Sequence, residues 1–519
     1  MNRQTAKPDP VLPVIMPSVG TSATPPGRAM PFGGRRSSLR GAQFKALSPV
    51  AIVISLTVVG AALRFGTLDV QSVWLDESST ILLVRRGFAG MLSHLWSEET
   101  PPLYFVLVWA WTKIVGAGVL GFRSFSALIG TITIPVMYVT GRRISPRVGL
   151  WAAALTTFNP AMYYYSQEAR CYALLILFSA AAFLFWLRAL QDGDGRSLAL
   201  WSAMSVLALL THYYAVFMFI PEAVLLVRHL GLRRLLAPAG AVVLTGVALI
   251  PLALWQSSTY GEVLESASTV SRFAGAVKQF LVGLYGPLEI YSALFTGLLA
   301  AAAVTHLLRR QERLRGLTLE IGFVGAVAFL LPLVLPLVHV AGNSFEGRHL
   351  ISAWIPCALL VAMGLGLARN PRVGALGLAL CATSLAVIVG INAIPGYQRD
   401  NWQGAASALA SHAGPGIIVI PEEGLAPLSI YLSHLKKVTS SRIPAREVEF
   451  VELRTKRTGR SPLAPVVPTI APAGYRLISV KRTETYAVSR FLSPESVTLS
   501  ARSLQRKIGE PTAEVLRRS

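Results

Sequence analysis

Long apolar runs separated by short basic loops dominate the chain. Ala237–Trp255, Leu317–Val340 and Val373–Ile394 each approach or exceed the roughly 20 residues that a spanning helix needs. Similar runs near 49–63, 121–140, 148–165, 170–188, 198–211, 214–228, 288–308 and 350–368 bring the predicted spans to eleven. One further run, 103–119, is apolar enough to resemble a span. If it crossed, Arg142, Arg143 and Arg147 would fall outside and every later basic loop would invert. It is therefore predicted to lie at the interface or to re-enter.

After Ile394 the pattern changes to charged and Pro-rich. Ile417–Ile420 reads as a buried strand, a helix follows near 427–436, and Tyr475–Val480 reads as a second strand. The chain thus divides into a tail (1–47), a membrane module (48–396) and a small C-terminal α/β domain (397–519) whose last 25 residues are expected to be flexible. The tail carries seven prolines before Phe32 and seven basic residues against one acid, Asp9, which predicts a disordered cytoplasmic segment.

Composition supports this architecture. The 519 residues are 53% hydrophobic and 14% charged, with a mean hydropathy of +0.53. A soluble domain carries about 25% charged residues. The net charge of +22 lies mostly in short loops and the tail, as the positive-inside rule requires. No basic-aromatic module accompanies it, so nucleic acid is not an expected partner. The basic loops at 141–147, 228–234, 309–315 and 369–372 fix the cytoplasmic side. The N-terminus is then inside and the C-terminal domain outside. Cys171, Cys357 and Cys381 form no disulfide framework, and the histidines show no metal-ligand spacing.

The same charge parity places the chemically interesting residues on one face: Asp76-Glu77, Pro101-Pro102-Leu103-Tyr104, Tyr163–Tyr172 with Glu168 and Arg170, His212-Tyr213, and Phe345–His349 with Arg348. Adjacent carboxylates beside a bilayer are costly to keep, and a general base for surface chemistry is one reason to keep them. Each group also has a plainer explanation. Asp76 could cap a short helix. Glu168 and Arg170 could form a local ion pair. His212 could anchor the interface, and Arg348 could snorkel.

In order and spacing these segments resemble bacterial members of glycosyltransferase family 39, in the GT-C superfamily. That family is related to the dolichyl-phosphate-mannose–protein mannosyltransferases and the lipid A aminoarabinose transferase. The resemblance is carried by Trp74-Leu75-Asp76-Glu77, Pro101-Pro102-Leu103-Tyr104, the segment 121–128, Gly141-Arg142-Arg143 and the segment 164–174. Thr211-His212-Tyr213-Tyr214, Gly347-Arg348-His349 and Asp400-Asn401-Trp402 complete it. It implies a GT-C-like polytopic helical fold and a sugar donor on polyprenyl phosphate. It further implies a lipid, glycan or protein acceptor, with the reaction on the extracytoplasmic face of a bacterial cytoplasmic membrane. Asp76 inherits the role of general base and Glu77 a supporting one. Tyr104, Arg123, Glu168, Arg170, Tyr172, His212, Arg348 and His349 are the implied substrate-binding residues, Arg348 being the candidate for the lipid phosphate. No cofactor or metal is implied. Thr100 stands where many relatives carry His or Lys. From the spans and charges alone, a transporter or lipid-linked sugar flippase and a non-catalytic assembly subunit are the rival readings.

Overall fold

A computed structural model describes residues 48–260, 269–334, 346–411, 415–438, 440, 442–454, 465–466, 468, 471–508 and 512–518. The expected disordered tail, 1–47, lies outside the described residues, as do 335–340 of the span expected near 317–340 and the first residue of the segment Phe345–His349.

The chain is a polytopic helical membrane protein. Among the described residues eight helices are long and apolar enough to cross a bilayer, from Val119–Arg142 through Pro371–Ala393. Pro49–Phe65, Pro146–Phe158 and Gly195–Thr211 occupy the other three expected spans, with 17, 13 and 17 residues. The run at 103–119 contains Leu103–Val115, 13 residues and about 20 Å long at 1.5 Å per residue, less than the bilayer's hydrocarbon core.

The expected single span at 148–165 is two helices, Pro146–Phe158 and Pro160–Tyr165. Pro160 has no N–H to continue the ladder. Asn159 caps the second helix instead, its Oδ1 accepting from the Ala161 and Met162 amides at 3.0 and 3.1 Å. The break matters because it opens the chain just before the Tyr163–Tyr172 segment.

Arg64, near the end of the first helix, is fully buried. It donates to Ser166 Oγ at 3.0 Å and to the Thr156 carbonyl at 3.0 Å. A guanidinium satisfied this way ties the first helix to the Pro146–Phe158 helix and to the loop that carries Glu168.

The C-terminal α/β domain contains a six-stranded sheet. Its strands are β1 (Gly416–Ile420), β2 (Leu435–Lys437), β3 (Arg442–Leu453), β4 (Arg476–Arg482), β5 (Tyr486–Ser500) and β6 (Glu514–Arg518), in the order β2-β6-β1-β3-β5-β4. Among the described residues β1 and β3 pair in parallel and the other pairs are antiparallel. β1 is buried on both faces, as its uninterrupted apolar run requires. Ile418 and Ile420 pack with Trp402 and Leu428 from the helices Trp402–Ala410 and Leu425–Tyr431. Ile417 and Val419 pack with Leu504 and Ile508 from the helix Ala501–Ile508.

Two expectations are corrected here. The helix near 427–436 is Leu425–Tyr431, because the chain turns at Leu432 and enters β2. The end expected to be flexible holds, among its described residues, the helix Ala501–Ile508 and strand β6. β6 inserts between β1 and β2, and Val515 and Leu516 are buried, so the chain end supplies part of the core.

The domain meets the first loop of the membrane module. Tyr431 Oη accepts from the Val73 amide at 2.8 Å, and Ser72 Oγ accepts from the Gln403 amide at 2.9 Å.

Candidate active site

Asp76 and Glu77 lie in the first turn of the helix Leu75–Arg85, where the partial positive charge of the helix N-terminus favours carboxylates. The N-cap is Trp74, with no side-chain cap bond, so Asp76 is not a cap. Consecutive helical residues point about 100° apart. The two acids therefore enter different surroundings.

Glu77 is fully buried. Its Oε1 accepts from Arg123 Nε at 2.8 Å and the Ala169 amide at 3.0 Å. Its Oε2 accepts from Arg123 Nη2 at 2.6 Å and Arg399 Nη1 at 2.7 Å. Burial pushes this carboxyl up, but Arg123 and Arg399 more than offset that and hold it below the usual range.

Arg123 also donates to the carbonyls of Leu68, Gln71 and Ser72 at 2.8, 2.6 and 3.0 Å. With two bonds to Glu77, all five of its N–H groups are engaged. Arg123, expected to bind substrate, therefore has no donor left to give one. Its place is to join the first loop to the Val119–Arg142 helix through Glu77.

Asp76 is partly exposed, with a side-chain accessibility of 16%, and accepts from Arg348 Nη1. Arg348 Nε lies 2.8 Å from Glu346 Oε2, and its guanidinium carbon sits 5.9 Å from the Trp74 ring centroid. An acid of the first loop and a cation of the turn Gly347–Ala353 meet here across 272 residues.

Glu168 is fully buried, and among the described residues neither carboxylate oxygen has a hydrogen-bond partner. Burial raises it to about 7, against the pull of Arg399. The local Glu168–Arg170 pair is not formed. Arg170 Nη1 lies 3.5 Å from Glu98 Oε2 instead.

Aromatic rings continue from this cluster. Tyr172 stands 4.9 Å from Tyr165 and 5.8 Å from His212. His212 stands 5.5 Å from His349, which stacks on Tyr214 at 4.7 Å. His212 Nδ1 accepts from the Tyr214 amide at 3.2 Å, and burial, with Arg170 and Arg348 nearby, pushes the imidazole down to about 3. It is a neutral ring at physiological pH. Tyr104 is buried and packs on Phe105 and Phe125 in the apolar core.

Sequence reasoning missed Glu98 and Arg399. Glu98 precedes Thr100-Pro101-Pro102, so a second acid pair beside a motif already singled out was its signal. Arg399 directly precedes Asp400-Asn401-Trp402, but its role depends on a fold that returns it to the first loop. Among the described residues no group of His, Cys, Asp and Glu is arranged to hold a metal.

Residues 99–255 match the family described as dolichyl-phosphate-mannose-protein mannosyltransferase. Among solved structures, the chain is similar to ArnT from Cupriavidus metallidurans in the apo state, with a TM-score of 0.56 and 15% identity over 85% of this chain and 98% of that one. It is also similar to the same protein bound to undecaprenyl phosphate, with a TM-score of 0.53 and 17% identity over 84% and 97%. No curated protein matches the chain. The architecture is therefore the ArnT-like GT-C fold.

Proposed function

We propose that this chain is a membrane glycosyltransferase that moves a sugar from a polyprenyl-phosphate donor to an acceptor hydroxyl on a lipid, glycan or protein. The reading places it in the cytoplasmic membrane of a bacterium, with the site and the C-terminal domain on the extracytoplasmic face. The observation that carries it is the meeting of Asp76 and Arg348 beside the buried, fully engaged Glu77. The ArnT-like fold, seen elsewhere with undecaprenyl phosphate bound, supports the donor class.

The acceptor hydroxyl is a poor nucleophile until a base takes its proton. Asp76, the partly exposed acid, takes that proton. The acceptor oxygen then forms a bond to the anomeric carbon while the bond from that carbon to the phosphate oxygen breaks. The electron pair leaves with the phosphate, and a single displacement inverts the anomeric centre. The phosphate is already ionised, so it needs cations more than an acid. Arg348 is placed to receive it, with Arg170 behind. An arginine that turns from Asp76 to the phosphate leaves the carboxylate open to the acceptor.

Glu77 and Arg123 serve this chemistry by positioning, since neither presents a free group. Tyr172, His212 and His349 form a neutral aromatic wall suited to a sugar ring. Glu168 contributes a carboxyl whose protonation is finely balanced, and Tyr104 supports from the core.

The test is Asp76→Asn in full-length protein, with unfolding temperature and donor binding measured alongside transfer. The expected result is native stability, retained donor binding and transfer lowered at least a hundredfold, the lower range for lost acid–base catalysis. Transfer at the wild-type rate in a folded Asp76→Asn protein would remove Asp76 as the base.

A further inference from the structure

The C-terminal domain is strongly basic. Residues 397–519 hold 18 Lys and Arg against 10 Asp and Glu, a net charge of +8. Several of these acids are engaged inside the domain: Glu447 with Arg490 at 2.7 Å, Glu452 with Arg454 at 2.8 Å and Glu514 with Lys437 at 2.7 Å. Positive charge held beside a bilayer is attracted to anionic headgroups.

That charge meets exposed apolar surface on one strand. β4 stands at the edge of the sheet, beside β5. It carries Arg476, Lys481 and Arg482 and no acid. Between them Leu477, Ile478 and Val480 are 53, 53 and 43% exposed. Exposed apolar residues rimmed by charge mark an interaction surface. The strand is poorly built to receive another strand. Its register shifts between Leu477 and Ser479, and bulges and edge Lys or Arg are the devices that keep sheet edges from pairing.

Its position selects the bilayer. The helix Pro371–Ala393 has 23 residues, about 34 Å at 1.5 Å per residue, enough to cross the hydrocarbon core. Gly396, three residues beyond it, therefore lies at the bilayer surface. The turn between β4 and β5 packs there. A Cβ added to Gly396 would stand 3.5 Å from Glu484 Oε1, and Asn401 Nδ2 donates to Thr485 Oγ1 at 3.0 Å. At about 3.3 Å per residue, Lys481 and Arg482 lie within about 10 Å of that turn. Register directs the charge as well. Arg476 and Lys481 pair with Leu492 and Val488, and opposed residues share a sheet face. Val488 packs with Trp402 and Leu428, on the face whose helix Leu425–Tyr431 reaches Val73 of the membrane module.

We propose that β4 lies edge-on against the bilayer surface and binds anionic lipid headgroups. Arg476, Lys481 and Arg482 meet the phosphates, and Leu477, Ile478 and Val480 enter the headgroup layer. This docking is independent of sugar transfer.

The test is a nitroxide on Ile478→Cys in full-length protein in phosphatidylglycerol nanodiscs, with the unsubstituted protein labelled as a blank. A nitroxide on Ser503→Cys, in the helix Ala501–Ile508 on the opposite sheet face, is the exposed reference. At 478, collisions with oxygen should exceed those with a water-soluble nickel chelate; at 503 the order should reverse. Arg476→Glu with Lys481→Glu should keep the unfolding temperature and lower the ratio of docked to undocked label about fivefold or more for each charge removed. Phosphatidylcholine nanodiscs should give a similar loss. A label at 478 as accessible to the chelate as the label at 503 would overturn the proposal. Shielding that survives in phosphatidylcholine or in the double variant would also overturn it, since apolar contact or a covering protein segment would then shield the strand. If Ile478→Cys fails to fold, Val480→Cys gives the same reading.

Discussion

Arg399 Nη1 lies 2.7 Å from Glu77 Oε2, although the two residues are 322 positions apart. The segment after the last long helix is therefore part of the wall that holds the loop and helix carrying Glu77. The same contact separates the fates of two neighbouring acids. Glu77 is fully buried between two guanidiniums, while Asp76 is partly exposed and pairs with Arg348.

Glu77→Gln would leave two buried guanidiniums facing a neutral amide. Breaking a buried pair in this way costs about 3–5 kcal/mol. A large fall in unfolding temperature is expected. Arg399→Gln should be milder, because Glu77 keeps Arg123 and the Ala169 amide. Equal losses in the two variants, read by thermal unfolding in detergent, would show that the cluster is not organised around Glu77.

Asp76 and Arg348 should behave as a unit. Asp76→Asn and Arg348→Gln are each expected to lower transfer at least a hundredfold, and the double variant should fall little further, as residues that act together are grossly non-additive. A strictly multiplicative loss in kcat/KM would separate their roles. Arg348→Lys should recover only part of the activity, because Lys cannot give the planar bidentate contact.

Glu168 gives stability a definite pH dependence. Its carboxyl, raised to about 7 when folded, has an ordinary value near 4.3 in an unfolded chain. Between those values the unfolded chain has lost the proton and the folded protein keeps it. Stability from this group is therefore full at low pH and falls as pH rises from about 4 to about 7. Glu168→Gln removes that slope. The difference in unfolding temperature between variant and wild type should shift in the variant's favour from pH 5 to pH 8, and a difference constant with pH would refute the assignment.

Gly364 faces the Ala303 carbonyl so closely that an added Cβ would lie 2.1 Å from its oxygen. Backbone cannot yield as a side-chain tip can. Gly364→Ala should cost about 1–3 kcal/mol by forcing the helices Glu289–Arg310 and Trp354–Gly366 apart. A thermal melt unchanged from the wild type would contradict this packing.

The sequence by itself determined the apolar segments, though not the break at Pro160, together with the polar C-terminal domain and the short list of segments that meet at the site. Hydropathy is a local sum, so a run such as Val373–Ile394 declares itself without any partner, and Ile417–Ile420 reads as buried for the same reason. Tertiary structure alone decided which charge answers which. Arg123 was legible as a residue near the site, yet its five N–H groups are spent on Glu77 and three carbonyls. Arg170 turns from its neighbour Glu168 to Glu98, 72 positions away, and Arg399 returns from beyond the last long helix to Glu77. A buried charge is tolerable only where an opposite charge and hydrogen bonds converge on it within about 3 Å. That convergence is a property of the folded chain, and no pattern along the sequence encodes it.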